Sequence, residues 1–497
     1  MEIMDTATTP SRKRLITRNF TRFFSYPIAV LTLGAALAEP ASAAIWTVSR
    51  TDDIAVPGTL RDAVNRAVTG DIITFDWNLR FTPIVLNPAL GPLLVKRDIT
   101  IDGDIDGDGT PDITLDGGYA TTIIYVDRTT YQRVTLNGLR LVRGYNSTVG
   151  GCLKNYTRGQ TVFANGTISD CTAVNDGGGI FNYDANLRIE NSEISSNTAT
   201  RGAGIVSFGS KQPFIADSRL VMNHSNRWGG AVYAYGYGTL HIERSLFQSN
   251  YALGAGAGVF THGSSSTMSL DIETSTFVDN FAQGTDTDTD QEGVGGGIST
   301  GGGGNAHIVN STFTANRAGR DGGAMIFRNY GVREVRHSTI AGNLADVGGL
   351  GPRFAGNTHP AGGPHQGGGI LDYPPATVTL SHVLFADNGR IQLPSEGGLP
   401  DDVTGPVISD NFNLFNQTDV QFVAGPLPGD VLGAVAQLMP LGDYGGPTPT
   451  LPLQPGSFGV DMGDPMAVPG VNVPATDQRG MPRVQGMGID IGAVEFY

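Results

Sequence analysis

Four carboxylates within nine residues are the first chemistry the chain offers. Between Ile99-Thr100-Ile101 and Ile113-Thr114-Leu115 lies Asp104-Ile105-Asp106-Gly107-Asp108-Gly109-Thr110-Pro111-Asp112. Alternate acids on a tight loop can converge on one point, and the glycine after the third acid allows a sharp turn. Left bare, the four charges would repel one another. The spacing therefore predicts one calcium ion held by Asp104, Asp106, Asp108 and Asp112, with the Thr110 carbonyl as a further ligand and a structural role. A twelve-residue calcium loop would want an acid at its twelfth place, which here is Leu115. Magnesium demands a tighter octahedron, and zinc prefers nitrogen or sulfur donors that this stretch lacks. A second acidic run, Asp286, Asp288, Asp290 and Glu292, has no glycine among its acids and reads as a solvated loop.

The elements that must position this loop are repeats. An apolar residue followed three places later by asparagine recurs as Ile194/Asn197, Leu220/Asn223, Phe247/Asn250, Phe277/Asn280, Phe313/Asn316, Ile340/Asn343 and Phe385/Asn388. A small-residue pair before an aliphatic one recurs in phase, as Gly178-Gly179-Ile180, Gly229-Gly230-Ala231-Val232 and Gly296-Gly297-Ile298. Successive asparagines are 26, 27, 30, 36, 27 and 45 residues apart. A steady floor with variable excess is the mark of stacked coils with surface insertions. A unit of about 26 residues with short strands and glycine corners suits one turn of a right-handed parallel β-helix, an all-β solenoid. Equivalent side chains from successive coils would form ladders about 4.8 Å apart: aliphatics and phenylalanines inside, asparagine amides bonded coil to coil.

Composition agrees. The chain has 497 residues, 70 of them glycine, and a net charge of −15. That length exceeds a single compact core unless the fold is repetitive. The negative charge argues against a nucleic-acid partner. Residues 1–43 read as a secretory signal: Arg12, Lys13, Arg14, Arg18 and Arg22, then an apolar run from Ile28 to Ala38, then Ala41-Ser42-Ala43 as the cleavage site. The run is too short to span a bilayer, and no later stretch predicts a transmembrane helix. Residues 44–98 predict an N-terminal cap with the first strands. Thr59-Leu60-Arg61-Asp62 opens a short helix with Leu60, Ala63, Val64, Ala67 and Val68 on one face, stopped at Gly70, as a plug over the open end. Residues 99–116 hold the acidic loop, 117–413 the coils and 414–497 a C-terminal cap. The helix proper is expected from about Thr74 to about Asn413.

Cys152 and Cys171 are the only cysteines. In an exported chain an even pair predicts a disulfide, with two buried thiols as the alternative. Cys152 follows Gly150-Gly151, the glycine-motif place, and Cys171 stands three after Ile168, where later coils carry asparagine.

The stretch Trp46 to Phe75, with Pro57-Gly58-Thr59-Leu60-Arg61-Asp62-Ala63-Val64, resembles the N-terminal segment of bacterial secreted right-handed β-helix proteins. The glycine and Phe-x-x-Asn repeats resemble those of polymorphic outer membrane proteins. Gly442-Asp443-Tyr444-Gly445-Gly446-Pro447-Thr448, Pro455-Gly456-Ser457, Asp477-Gln478-Arg479-Gly480, Pro482-Arg483 and Asp490 to Glu495 resemble the choice-of-anchor Q domain. The nine-residue acidic loop is similar to the calcium loops of FG-GAP propeller repeats. These resemblances imply an exported, pectin-lyase-like β-helix of the cell envelope, secreted or periplasmic, without implying a reaction. In the C-terminal segment, ion pairs between Arg479 or Arg483 and Asp461, Asp464 or Asp490 are expected to fix it to the last coil.

No catalytic residue is assigned. The polygalacturonase pattern is met only in fragments: Thr261-His262-Gly263, then Asp401-Asp402 out of order, then Arg390-Ile391-Gln392 without its lysine. The leading reading is a non-catalytic protein that binds a polysaccharide or cell-surface ligand along the coil face. Tyr233, Tyr235 and Tyr237 alternate so as to share one side of a strand. The alternative is a polysaccharide lyase or glycoside hydrolase, with the insertion from Leu344 to Gly369, holding His359 and His365, as the lip of its site.

Overall fold

The computed structural model describes residues 43–127, 132–209, 211–262, 268–284, 293–328, 331–347, 367–372, 376–391 and 398–496. Residues 1–42 of the expected signal at 1–43, the second acidic run and both His359 and His365 lie outside them.

The described chain winds as a right-handed parallel β-helix with four strands per full coil. One coil shows the order: Asn186–Glu190, Glu193–Ser195, Thr198–Arg201 and Ile205–Gly209. These belong to four sheets, here I to IV, with 13, 13, 10 and 11 strands. Pairing between coils is parallel and in register, as with Ile194 opposite Leu220 and Leu220 opposite Phe247. The exception is Gly389–Ile391 with Gly398–Pro400, which pair antiparallel at the edge of sheet III.

The repeat positions fall where the spacing put them. Ile194, Leu220, Phe247, Phe277, Phe313, Ile340 and Phe385 are fully buried in one column. The rings of Phe247 and Phe277 stack at 4.5 Å and those of Phe277 and Phe313 at 4.8 Å. At the corner between sheets II and III, the amides of Asn197, Asn223, Asn250, Asn280, Asn316, Asn343 and Asn388 form a chain, each Nδ2 donating to the next Oδ1 at 2.8–3.0 Å. A second ladder, not anticipated, runs along the corner between sheets I and II. The backbone N–H of Ser192, Ser218, Ser245, Ser275 and Ser311 donates to the serine hydroxyl of the next coil at 3.1–3.2 Å.

Glycine explains only one corner. At the turn between sheets III and IV, Gly177 has φ +67, and a Cβ on Gly178 would lie 2.5 Å from the Thr198 carbonyl oxygen. The asparagine corner instead puts an ordinary residue in the left-handed region, such as Ser196 (φ 55) or Met222 (φ 54). The bonded amide that follows holds that strained turn in place.

The N-terminal helix is Leu60–Arg66, capped by the Thr59 hydroxyl, which accepts from the Asp62 N–H. Leu60, Ala63 and Val64 are buried, and Arg61 makes a buried pair with Asp53 at 2.7 Å. The helix ends before Gly70, and Val68 is exposed, because Ala67 already leaves helical geometry. The coil stack also begins earlier than Thr74: Ile45–Val48 already pairs with Ile72–Phe75. It ends later than Asn413, with Leu414–Phe415 paired to Val431–Leu432.

The C-terminal segment differs most from expectation. It does not close the last coil alone but folds back over the outer face of sheet II. Pro449 accepts from the Thr276 hydroxyl, Gln478 bonds Thr276 and Thr312, and the Ala493 N–H donates to the Thr339 hydroxyl. Leu384, Leu414, Leu451, Leu453 and Ile491 form its apolar seam. Its arginines also choose other acids. Arg479 pairs with Asp477 at 2.7 Å and Arg483 with Glu495 at 2.9 Å, all four buried. Asp461 and Asp490 accept backbone N–H groups instead.

Candidate functional site

Sheet IV carries side chains alternately inward and outward. In Val232–Gly236, Val232 and Ala234 enter the core, while Tyr233 and Tyr235 face out. The outward positions of successive coils align: Tyr183 with Phe208, Phe208 with Tyr235, Tyr235 with His262. Tyr156 stacks on Tyr183 at 5.6 Å and extends the row by one coil. Phe208 meets Tyr235 at 5.2 Å, and Tyr235 meets His262 at 5.7 Å. The result is a row of five rings, Tyr156, Tyr183, Phe208, Tyr235 and His262, spanning about 19 Å at the inter-strand spacing.

The row is flanked on the same face by a second, buried column. Phe181, Val206, Tyr233 and Phe260 stand two residues nearer the glycine corner and are covered by Trp228, Ala255 and Val294. Tyr233 is only 2% exposed, and burial pushes its hydroxyl up to about 12. Tyr183, at 37% exposed, is the most open ring of the row. Burial lowers the His262 pKa, which favours the neutral ring. Tyr237 is not part of the row: it follows Gly236 (φ 132) beyond the strand and is 54% exposed. The sequence reading thus found Tyr235 and missed Tyr156, Tyr183, Phe208 and His262. Their common signal is that each stands three residues after the aliphatic that closes the glycine motif: Leu153, Ile180, Ile205 and Val259.

A cavity of about 370 Å³ opens at one end of the row, lined by Pro92, Thr122, Tyr125, Tyr145, Asn146 and Lys154 among others. Lys154 lies over both Tyr125 and Tyr156, its nitrogen 5.5 Å from each ring centre.

The acidic loop is an insertion at the corner between sheets I and II, between Thr100–Asp102 and Ile113–Asp116. Carboxylate oxygens of Asp104, Asp106 and Asp108 lie within 4.8 Å of one another. Asp104 accepts the N–H of Asp108 and of Gly109, both at 3.1 Å, and Asp108 accepts the Thr110 N–H and hydroxyl. The Thr110 bonds hold the Asp108 carboxyl below the usual carboxylate range. Asp112 stands apart from the cluster. It is fully buried, pairs with Arg80 at 2.7 Å and accepts the Ile105 N–H. Arg80 also reaches Asp106 at 2.7 Å.

Cys152 and Cys171 are joined in a disulfide with Cα atoms 5.7 Å apart. Cys171 occupies the asparagine place: its N–H donates to the Asn197 Oδ1 at 3.0 Å. Asp401 and Asp402 are buried and engaged in the framework. Asp401 holds the Gly367 N–H, and Asp402 closes the asparagine ladder.

Residues 122–313 match the family model of the right handed beta helix region. Among solved structures, the crystal structure of pectate lyase Pel9A is similar at 14% identity, covering 91% of this chain and 97% of that one, with a TM-score of 0.40. No curated protein matches the chain. Among the described residues, no helix is long and apolar enough to cross a membrane.

Proposed function

We propose that this protein is exported and binds an extended polysaccharide along sheet IV without cleaving it. The observation that carries the reading is the aligned row Tyr156, Tyr183, Phe208, Tyr235 and His262. Aromatic side chains repeated once per coil give successive sugars apolar contact, and a solenoid face suits a long ligand. The buried column beside the row fixes the rings in advance, so little ordering entropy is lost on binding. The non-catalytic part is supported by the engagement of Asp401 and Asp402 in the framework. Export is supported by the leader pattern in residues 1–43 and by the disulfide.

The acidic loop has a separate, structural role in this proposal. Asp104, Asp106 and Asp108 would hold one calcium ion, which would neutralise their clustered charge and stiffen the corner. Asp112 and Arg80 then act as the brace behind it.

The experiment is a panel of immobilised polysaccharides with product analysis. Retention without new reducing ends or unsaturated sugars is expected. Release of either product would overturn the non-catalytic reading, and retention on no polymer would overturn the glycan reading.

A further inference from the structure

We propose that the cavity at the Tyr156 end of the row is an anion subsite, in which Lys154 receives the carboxylate of an acidic sugar. The inference rests on the glycan reading and adds the ligand class: a polymer bearing uronic or other carboxylated residues.

Several of this protein's cations are paired with acids. Arg201 pairs with Asp176 at 2.6 Å, Arg244 with Asp217 at 2.7 Å, and Arg80 with Asp106 and Asp112. Such pairing is expected in a chain with a net charge of −15. Among the described residues, Lys154 has no ion pair, and in this it is like Arg227, which lies over the Trp228 ring, and Arg140, which donates to the Pro111 carbonyl. Its ammonium lies instead over the faces of Tyr125 and Tyr156. No carboxylate is among the residues that line the cavity.

Position makes the lysine useful. Lys154 stands in sheet IV opposite Tyr125 on one side and Phe181 on the other, so the strand itself aims it outward. Tyr156 is at once the first ring of the row and one of the two rings beneath the ammonium. A sugar stacked on Tyr156 therefore has its edge at Lys154, and the next sugar enters the cavity. The wall there is polar and internally bonded: the Asn146 amide donates to the Thr122 hydroxyl at 2.9 Å, which donates in turn to the Gly150 carbonyl at 2.8 Å. Partial burial lowers the lysine pKa from its ordinary value. In that less polar setting the attraction to a carboxylate exceeds that of a fully exposed lysine.

The test compares a uronate-containing oligosaccharide with its carboxyl-reduced counterpart, by calorimetric titration of the full chain. Wild type, Lys154→Met and Lys154→Arg are measured at two salt concentrations. Expected is at least a tenfold preference of wild type for the acidic sugar, weakening with salt. Lys154→Met should lose the preference while still binding the reduced sugar, which also reports an intact fold. Lys154→Arg should restore it. Equal binding of the two sugars by wild type, or a preference that survives in Lys154→Met, overturns the subsite and leaves the glycan reading standing. Binding of neither sugar overturns both.

Discussion

The Asn388 amide donates to the Asp402 carboxylate at 3.1 Å, so the column of stacked amides ends on a charge rather than on an eighth asparagine. Asp402 is fully buried and also accepts the Gln417 N–H at 2.8 Å. The column is thus closed at its far end, and each interior amide has both a donor and an acceptor in use. Asn250 shows the consequence. Its Nδ2 serves Leu220 O and Asn280 Oδ1, while its Oδ1 serves the N–H and the amide of Asn223. Asn250→Ala strands several of these buried groups at about 1–3 kcal/mol each. The expected loss is about 3–5 kcal/mol in urea unfolding. A loss below about 1 kcal/mol would show that the ladder is not a main stabiliser.

His337 and His382 stack at 4.5 Å beneath the C-terminal segment, and both are buried. The His382 Nε2 accepts the Asp464 N–H, its Nδ1 meets the Ser381 hydroxyl, and Phe412 stacks on its ring. Burial pushes His382 down to about 4 and His337 well down, with Arg483 and Arg336 adding to both effects and Asp464 opposing it at His382. A depressed histidine is neutral in the fold where the unfolded chain would be charged. Stability therefore falls as pH drops from about 6.5 to about 4, by roughly 3 kcal/mol for His382. Buried Asp372 and Asp402, raised to about 7 and about 6, act in the opposite sense. The check is therefore a difference: between pH 7.5 and pH 4, His382→Asn should gain roughly 3 kcal/mol relative to wild type. A difference that does not change with pH would remove the role.

Cys171 offers a cleaner exchange. Losing the disulfide should cost about 3 kcal/mol for a loop of this size. Yet Cys171 sits where later coils place asparagine, near Leu141 O as Asn197 sits near Ile168 O. Cys152→Ala with Cys171→Asn should therefore lengthen the amide column by one. It is expected to melt above Cys152→Ala with Cys171→Ala, and equal melting points would sink the equivalence.

These tests touch what was legible in the sequence to unequal degrees. The core column and the amide column were readable because one residue type recurs at one place per coil. Phe277 and Asn280 carry the coil phase by themselves. The serine ladder was hidden because serine is common at any surface turn, and only its partner one coil away gives it meaning. The aromatic row was hidden because its members differ in type: two tyrosines, a phenylalanine, a third tyrosine and a histidine. Tyr237 misled for the opposite reason. Period two holds only inside a strand, and Gly236 ends it. The path of the C-terminal segment was not legible, because Gln478 lies 202 residues from its partner Thr276. The acids for Arg479 and Arg483 were also misjudged. Asp461, Asp464 and Asp490 were expected, whereas Asp477, two residues from Arg479, and Glu495, which the irregular fold brings to Arg483, take those places.

For the acidic loop, melting curves in EDTA and in millimolar calcium should differ. Binding to the folded state alone adds about 2.7 kcal/mol at a hundredfold excess over Kd. Asp106→Ala should erase the difference, since Asp106 belongs to the cluster. Asp112→Asn tests the brace separately. It should lower stability even in EDTA, because Arg80 then keeps only one of its two acids. Identical wild-type curves in both conditions would leave the loop as an acidic turn without an ion.

The aromatic row makes the sharpest demand, because two exposed tyrosines of similar size should behave differently. Tyr183 lies inside the row, stacked on Tyr156 and aligned with Phe208. Tyr237 is the more exposed of the two, yet it stands beyond the strand end. If ring stacking on sugars drives binding, Tyr183→Ala should weaken polysaccharide affinity by about 1 kcal/mol, roughly fivefold, while Tyr237→Ala leaves it unchanged. Phe208 contacts both columns, meeting Tyr233 at 6.0 Å and Tyr235 at 5.2 Å. Phe208→Ala should therefore weaken binding and lower the melting point together, whereas Tyr183→Ala should leave melting nearly unchanged. Length gives an independent reading of the same row. Affinity should rise with oligosaccharide length at least until the ligand spans the five rings, about 19 Å, and level off once it also fills the cavity beyond Tyr156. Affinity that is independent of length, or equal losses for Tyr183→Ala and Tyr237→Ala, would mean that the rings stack only for the sake of the fold.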